Sequence, residues 1–345
     1  MLAASFPGPK YAKKGWPCQD SSSRLSYGRV QAVAVADGHG SPECFRSEHG
    51  ARIAVEAAFR QLERYCREEA FDTDKPAILS RTGIDNFKFD LLRDWEQSVR
   101  KHWYGYLDTH TCTGEDELRF QAVSEKYRQR YLSDDPAVVE EYLYTAYGTT
   151  LLLAVSIGTQ ILLLQIGDGT CVLLQRNGTL SVPLPPDQDN YLNVTVSMCD
   201  KDAICHFRYA VIPCDPVLQS APVAIFLSTD GMDDCFPVYQ NENYLFKVHR
   251  LIIESVLDKG FQATEDDVTN DLLQSMTARG SRDDISLACL ITQDRELLHE
   301  AFDRIDPNSC LPGENTDKSS IDEESQKAGN VEDLTDDNHE QSGTV

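Results

Sequence analysis

Four strand-length apolar runs in this chain meet an aspartate at one end. Val33-Ala34-Val35-Ala36 leads into Asp37-Gly38, and Leu163-Leu164-Gln165-Ile166 leads into Gly167-Asp168-Gly169. Ala224-Ile225-Phe226-Leu227-Ser228-Thr229 leads into Asp230-Gly231, and Arg282-Asp283-Asp284 stands immediately before Ile285-Ser286-Leu287-Ala288. Such a chain buries the runs as strands and is left with carboxylates at the edge of its core. A lone carboxylate there is costly to desolvate, and several together repel one another. Hard divalent cations such as Mg²⁺ or Mn²⁺ offset that cost, because they take oxygen ligands and keep several waters. The neighbouring glycines permit tight turns and close backbone approach. Asp-Gly is also an ordinary turn signal, so a plain hairpin is an equal reading of Asp168-Gly169, which lies between two runs.

The Val-, Ile- and Leu-rich runs predict strands at 30–36, 149–157, 160–166, 171–175, 223–228 and 285–292. Asn177-Gly178 predicts a hairpin turn, since both residues tolerate positive φ. An amphipathic helix is predicted over 49–69, where Ile53, Ala57, Phe59 and Leu62 are apolar and Arg and Glu fill the other face. Further helices are predicted over 91–106, 115–131, 244–259 and 266–276. Strands and helices do not alternate strictly, which argues against a doubly wound parallel sheet. An α+β fold of antiparallel sheet layers with helices packed outside fits better.

Hydrophobic residues make up 41% of the 345, enough for one folded domain over 1–305. Residues 306–345 hold eleven acids against two lysines and almost no aromatic or branched apolar side chains. Such a segment cannot bury enough surface to offset its chain entropy, so an acidic disordered tail is expected there. The net charge of −24 repels phosphate backbones and anionic lipid, which argues against nucleic acid and membrane as partners. No window reaches the roughly 18 apolar residues of a membrane span, and Met1 to Lys14 lacks a signal-peptide core. The 11 cysteines contain no C-x-x-C pair, so reduced thiols in a cytoplasmic protein are expected.

Six short motifs stand in one order: Gln19-Asp20 within GWPCQDS, Asp37-Gly38-His39-Gly40, Tyr147-Gly148-Thr149-Thr150, Ile166-Gly167-Asp168, Ser228-Thr229-Asp230-Gly231, and Ser281-Arg282-Asp283-Asp284-Ile285-Ser286. In this order they resemble the metal-dependent protein phosphatases, the protein phosphatase 2C-like family. The GWPCQD opening and the form DDIS resemble its bacterial-type branch. The resemblance implies a four-layer αββα fold: a β-sandwich of two mostly antiparallel sheets flanked by helices on both outer faces. It also implies a serine/threonine protein phosphatase that uses two Mn²⁺ or Mg²⁺ ions. Asp20 would bind the first ion, Asp37 would bridge both, and Gly38 would give its carbonyl to the second. Asp230 and Asp283 would complete the first site, while Asp168, with Asp230 and Asp234, would suit a weaker third ion. A metal-bridging hydroxide would attack phosphorus directly, with no covalent intermediate. His39 is the candidate general acid for the leaving oxygen, or else a turn histidine. The implied partners are a phosphoprotein substrate and, in opposition, a Ser/Thr protein kinase; the chain would act as a monomer.

The chain departs from the family pattern in four places. Gly15 stands where eukaryotic members carry a phosphate-holding arginine, so Lys13 and Lys14 are the candidate substitutes, or simply solubilising residues. Gln19 replaces a common glutamate, Asp284 replaces the usual asparagine, and the stretch 67–146 is longer than a minimal member needs. Two other readings remain open at this point. One is an inactive relative that binds a partner; the other is a metal hydrolase of nucleotides or small phosphate esters.

Overall fold

A computed structural model of the protein describes residues 1–67, 76–107, 115–184, 195–215 and 217–306. Ten strands form two five-stranded sheets in which every pairing is antiparallel. The strands are β1 (Leu2–Phe6), β2 (Ser21–Tyr27), β3 (Val30–Ala36), β4 (Leu151–Ile157) and β5 (Gln160–Ile166), then β6 (Thr170–Gln175), β7 (Leu180–Ser181), β8 (Arg208–Pro213), β9 (Pro222–Ser228) and β10 (Ile285–Ile291). One sheet runs β1-β10-β9-β6-β7 and the other β2-β3-β4-β5-β8.

Side-chain alternation along each central strand builds three apolar layers. Val33 and Val35 of β3, Leu152 and Ala154 of β4, and Ile225 and Leu227 of β9 fill the space between the sheets. The alternate residues point outward under helices: Ala32 and Ala34 of β3 and Leu151 and Leu153 of β4 on one side, Phe226 of β9 and Leu287 of β10 on the other. Because both faces are buried, these strands read in sequence as unbroken apolar runs.

The first outer layer holds α2 (Ser47–Arg67) and α3 (Arg81–Leu107), the latter burying Ile84, Phe87, Leu91, Trp95 and Val99 along one stripe. The second holds α9 (Asn241–Lys259), α10 (Phe261–Asp267), α11 (Gln274–Arg279) and α12 (Arg295–Asp303). Shorter helices are α1 (Pro9–Ala12), α4 (Glu115–Ala122), α5 (Glu125–Tyr131), α6 (Pro136–Tyr142), α7 (Ala203–His206) and α8 (Asp230–Asp233). The α+β sandwich with helices on both outer faces is therefore borne out.

Three local expectations are refined. The helix predicted over 115–131 breaks at Val123-Ser124 into α4 and α5. The helix predicted over 266–276 is longer, and a π-helical turn, Val268–Leu273, joins α10 to α11. The Asn177-Gly178 turn does close the β6–β7 hairpin, with Gly178 at φ 84. The acidic tail expected from 306 onward lies, from residue 307, outside the described residues.

Candidate active site

Each motif aspartate is delivered by the end of a strand, and the ends in question all lie at one end of the sandwich. β3 stops at Ala36 and hands on Asp37. The loop residues Thr149 and Thr150 hold it: the Asp37 N–H donates to Thr150 Oγ1 at 3.0 Å, the Thr150 N–H donates back to the Asp37 carbonyl at 2.9 Å, and Thr149 Oγ1 donates to that carbonyl at 2.8 Å. The His39 N–H donates to the Gly148 carbonyl at 3.0 Å. The Tyr147-Gly148-Thr149-Thr150 motif thus works as a clamp on Asp37-Gly38-His39. Gly38 cannot carry a side chain, because a Cβ would stand 2.5 Å from the Gln19 carbonyl oxygen and 2.8 Å from that of Ser47.

Asp20 precedes β2 and is buried; its Oδ2 accepts from Thr229 Oγ1 at 2.7 Å. Thr229 in turn accepts at Oγ1 from the Ser286 N–H at 2.9 Å, which ties Asp20 to the ends of β9 and β10. Asp230 opens α8 directly after β9. Gly231 beside it packs against the carbonyl oxygen of Asp284 where a Cβ would collide. Asp168 follows β5 and accepts from Thr195 Oγ1 at 2.5 Å. Asp283 is set by Arg282, which adopts the left-handed region at φ 64, uncommon for a residue with a Cβ. Its Oδ2 pairs with Lys10 Nζ at 2.9 Å. Asp284 braces the backbone instead. It is buried, and its two oxygens accept the N–H groups of Gly8 and Gln19, each at 2.6 Å.

A cleft of about 280 Å³ collects these groups, with Asp37, Gly38, His39, Asp168, Asp230 and Asp283 on its wall together with Asp284, Lys10, Tyr11, Gly40, Thr150 and Thr195. Asp20 stands behind the wall, close enough that its charge raises the pKa of Asp37. Lys13 and Lys14 are exposed and lie outside the lining, whereas Lys10 on α1 reaches it. Lys10 was missed by sequence reasoning, as were Tyr11, Gly40, Thr150 and Thr195. The readable signal was the Thr149-Thr150 motif itself, to which the sequence pattern assigned no role.

The electrostatics are those of crowded acids. Burial, and then the charge of Asp284, pushes Asp20 well above the usual carboxylate range. Burial, followed by Asp20 and Asp230, does the same to Asp37. Burial raises Asp230 to about 6, and the nearby charges of Asp168, Asp234 and Asp283 act in the same direction. Burial lowers the pKa of His39, against the pull of Asp168 and Asp200. On Lys10, burial works downward but hydrogen bonds to Asp283 and Tyr11 outweigh it, so its pKa stands above the ordinary value.

The family profile described as protein phosphatase 2C matches residues 7–274, which runs from just before α1 to the start of α11. The chain belongs to the protein phosphatase 2C family. No curated protein sequence matches it. Among solved structures, a C. elegans sex-determining protein is 12% identical, with a TM-score of 0.48 over 87% of this chain and 66% of that one. The Mycobacterium tuberculosis serine/threonine phosphatase PstP is 14% identical, with a TM-score of 0.44 over 84% of this chain and 97% of that one. The S. agalactiae serine/threonine phosphatase is 14% identical, with a TM-score of 0.47 over 84% and 98%. Family membership rests on the profile match.

Metal dependence is typical of this family, and the residues can be tested for it. Among the described residues, no three carboxylate, imidazole or thiol groups stand as a ready coordination shell. The donor set nevertheless suits a hard cation. It consists of mostly half-buried carboxylate oxygens, with Lys10 as the one ammonium on the wall among the described residues. Asp37 and Asp230 each raise the cost of ionising their neighbours, a repulsion that a divalent ion between them would offset.

Proposed function

We propose that this chain is a metal-dependent serine/threonine protein phosphatase acting on phosphoproteins made by a Ser/Thr protein kinase. The observation that carries the reading is the delivery of four motif aspartates, Asp37, Asp168, Asp230 and Asp283, from separate strand ends onto one cleft wall. Burying that much negative charge has no benefit for folding, and family membership supplies the reason for it. Asp20, Asp37, the Gly38 carbonyl, Asp230 and Asp283 would hold two divalent ions, and Asp168 with Asp230 and Asp234 would suit a third. Bound ions supply an activated water as nucleophile and offset charge on the phosphoryl oxygens.

The chain's own residues do the rest. Thr149 and Thr150 fix the backbone of Asp37, so its carboxylate meets the cleft without reorganisation. Lys10 pairs with Asp283 and lies at the cleft, within reach of a phosphoryl oxygen as counter-charge. His39, half-buried and held below the ordinary histidine pKa, stands on the wall where its ring can hydrogen-bond the leaving oxygen; to act as the general acid it must first take up a proton, which the charges of Asp168 and Asp200 favour.

The test is hydrolysis of p-nitrophenyl phosphate and of a phosphothreonine peptide with and without Mn²⁺ or Mg²⁺. Activity should vanish on chelation and return with metal. Turnover that survives chelation would overturn the metal assignment. Preference for a nucleoside monophosphate over the phosphopeptide would overturn the substrate class.

A further inference from the structure

The cleft has one ammonium on its wall and three further cations just outside it. The Lys10 N–H donates to the carbonyl of Arg282 at 3.1 Å, which brings α1 and the Arg282 turn to one edge of the cleft. Lys13 and Lys14 follow α1 directly, and all three lysine side chains are exposed. Among the described residues, Lys13, Lys14 and Arg282 form no ion pair. That is a notable concentration in a chain with 56 acidic and 32 basic residues, where a cation has no shortage of partners. The lysine segment is also held in place. Tyr11 and Trp16 stack at 5.9 Å with planes 10° apart, and Lys14 Nζ lies 4.5 Å above the Trp16 ring.

We infer that Lys13, Lys14 and Arg282 form a docking rim for acidic residues flanking the phosphorylated side chain, so the preferred substrate is a phosphopeptide with Asp or Glu beside the phosphosite. This rests on the phosphatase reading above. Two opposing fields act on such a peptide. The net charge of −24 repels it from a distance, but at physiological salt that field fades over a Debye length of about 8 Å. Within that range the nearest groups decide: Asp283 is paired with Lys10, whereas Lys14, over the Tyr11 and Trp16 rings, and its neighbour Lys13 and the exposed Arg282 carry no such counter-charge among the described residues. Asp200 and Asp234 are exposed acids that act on the charged groups of the same cleft. Asp234 couples to Lys10 and Asp283, so an acidic flank is favoured where it runs past Lys10 along Lys13 and Lys14.

The experiment uses the full chain with Mn²⁺ and three phosphothreonine peptides that differ only in acidic, neutral or basic flanks. p-Nitrophenyl phosphate, which has no flank, reports the chemistry alone. The acidic peptide should show a KM about five- to tenfold below the neutral one, the size expected of two or three exposed ion pairs. The advantage should shrink between about 50 and about 300 mM salt. Lys13→Glu/Lys14→Glu should abolish the preference and leave p-nitrophenyl phosphate turnover unchanged, while Lys13→Arg/Lys14→Arg keeps both. Binding of the same peptides as hydrolysis-resistant phosphonates, read by anisotropy, gives an activity-independent measure. Equal KM and equal binding for acidic and neutral flanks, or a preference that survives charge reversal, would overturn the rim. Loss of p-nitrophenyl phosphate turnover in the wild type would instead strike the phosphatase reading, with the binding series still deciding the rim.

Discussion

The two ends of the sandwich are closed by the same strands, yet they differ in kind. At the far end lies a cavity of about 430 Å³, lined by Gln31 of β3, Ser156 of β4, Ile161 of β5, Ile225 of β9 and Leu290 of β10, with Arg176 beyond β6. At the near end lies the smaller cleft of about 280 Å³, lined by five carboxylates. Size would choose the far cavity. Energetics choose the near cleft, because the far cavity gathers neutral polar and apolar side chains with a single arginine, whereas crowded like charges cost several kcal/mol unless something compensates them. An arrangement that folding alone would not retain is the better guide to chemistry.

The largest effect that can break this comparison is at the near end. Asp37→Asn and Asp230→Asn should each lower kcat by about a thousandfold or more, since in the proposed function each would remove a ligand from the metal site. The same substitutions should raise the melting temperature in EDTA, because they remove repulsion from a crowded, buried cluster. A residue serving only the fold would show the opposite pairing: little loss of turnover and a fall in stability. Wild-type turnover by either variant would refute the site.

Next in size is a pH effect in which two regions pull in opposite directions. Asp230 has a folded pKa raised to about 6, so in metal-free protein its contribution is greatest at low pH and is lost as the pH rises from about 4 to 6. His249 of α9 is buried against Phe226, its ring centroid 4.3 Å away, with neither ring nitrogen hydrogen-bonded. Burial lowers its pKa to about 3, so its contribution is present above the ordinary histidine pKa and is lost as the pH falls below about 6.5. In EDTA the two trends offset between about pH 4 and 6. His249→Phe should leave the carboxylate trend alone, so the variant loses up to about 3 kcal/mol per raised carboxylate as the pH rises through that interval. Denaturant titrations in EDTA would check it; a variant that tracks the wild type would show that the His249 shift is not there, and a variant whose stability stays flat across the interval would show that the carboxylate shift is not there.

The six strands legible in the sequence are the interior strands of the two sheets, and the four that were not, β1, β2, β7 and β8, are the four edges. The reason is physical. Interior strands bury both faces, so Leu151-Leu152-Leu153-Ala154-Val155 leaves an apolar run, whereas edge strand β2 reads Ser21-Ser22-Ser23-Arg24 because water covers part of it. The site divides in the same way. Asp37, Asp230 and Asp283 were legible because a carboxylate abutting an apolar run is a local anomaly. Lys10 and Thr195 were not, because neither is a carboxylate abutting a strand and each reaches the cleft only through the tertiary fold. Asp284 was readable as a departure but not as the clamp on Gly8 and Gln19, which depends on contacts 276 and 265 residues away.

A smaller effect separates backbone approach from chemistry at the near end. Gly231→Ala should cost about 2–3 kcal/mol of stability, because its Cβ would meet the Asp284 carbonyl, a backbone atom that cannot swing aside. Gly105→Ala, in α3 with nothing within 4 Å of the added carbon, should instead stabilise by about 0.5–1 kcal/mol. Equal melting temperatures for the two variants would mean that the Gly231 contact is not tight.

The smallest expected effect is at the far end, and it is the sharpest test of which end matters. Ser156 of β4 sits between Gln31 and Ile161 in the sheet and lines the larger cavity. Ser156→Val places a branched apolar side chain in that void on a strand that favours it, and should change stability by no more than about 1 kcal/mol, in the favourable direction. Metal-dependent turnover should stay within about twofold of wild type, because β4 begins at Leu151, beside the Thr149-Thr150 clamp, and Ser156 lies towards its other end. A tenfold loss of turnover from this filling alone would mean that the two ends are coupled through the sandwich, and the assignment of function to the carboxylate end by itself would fail.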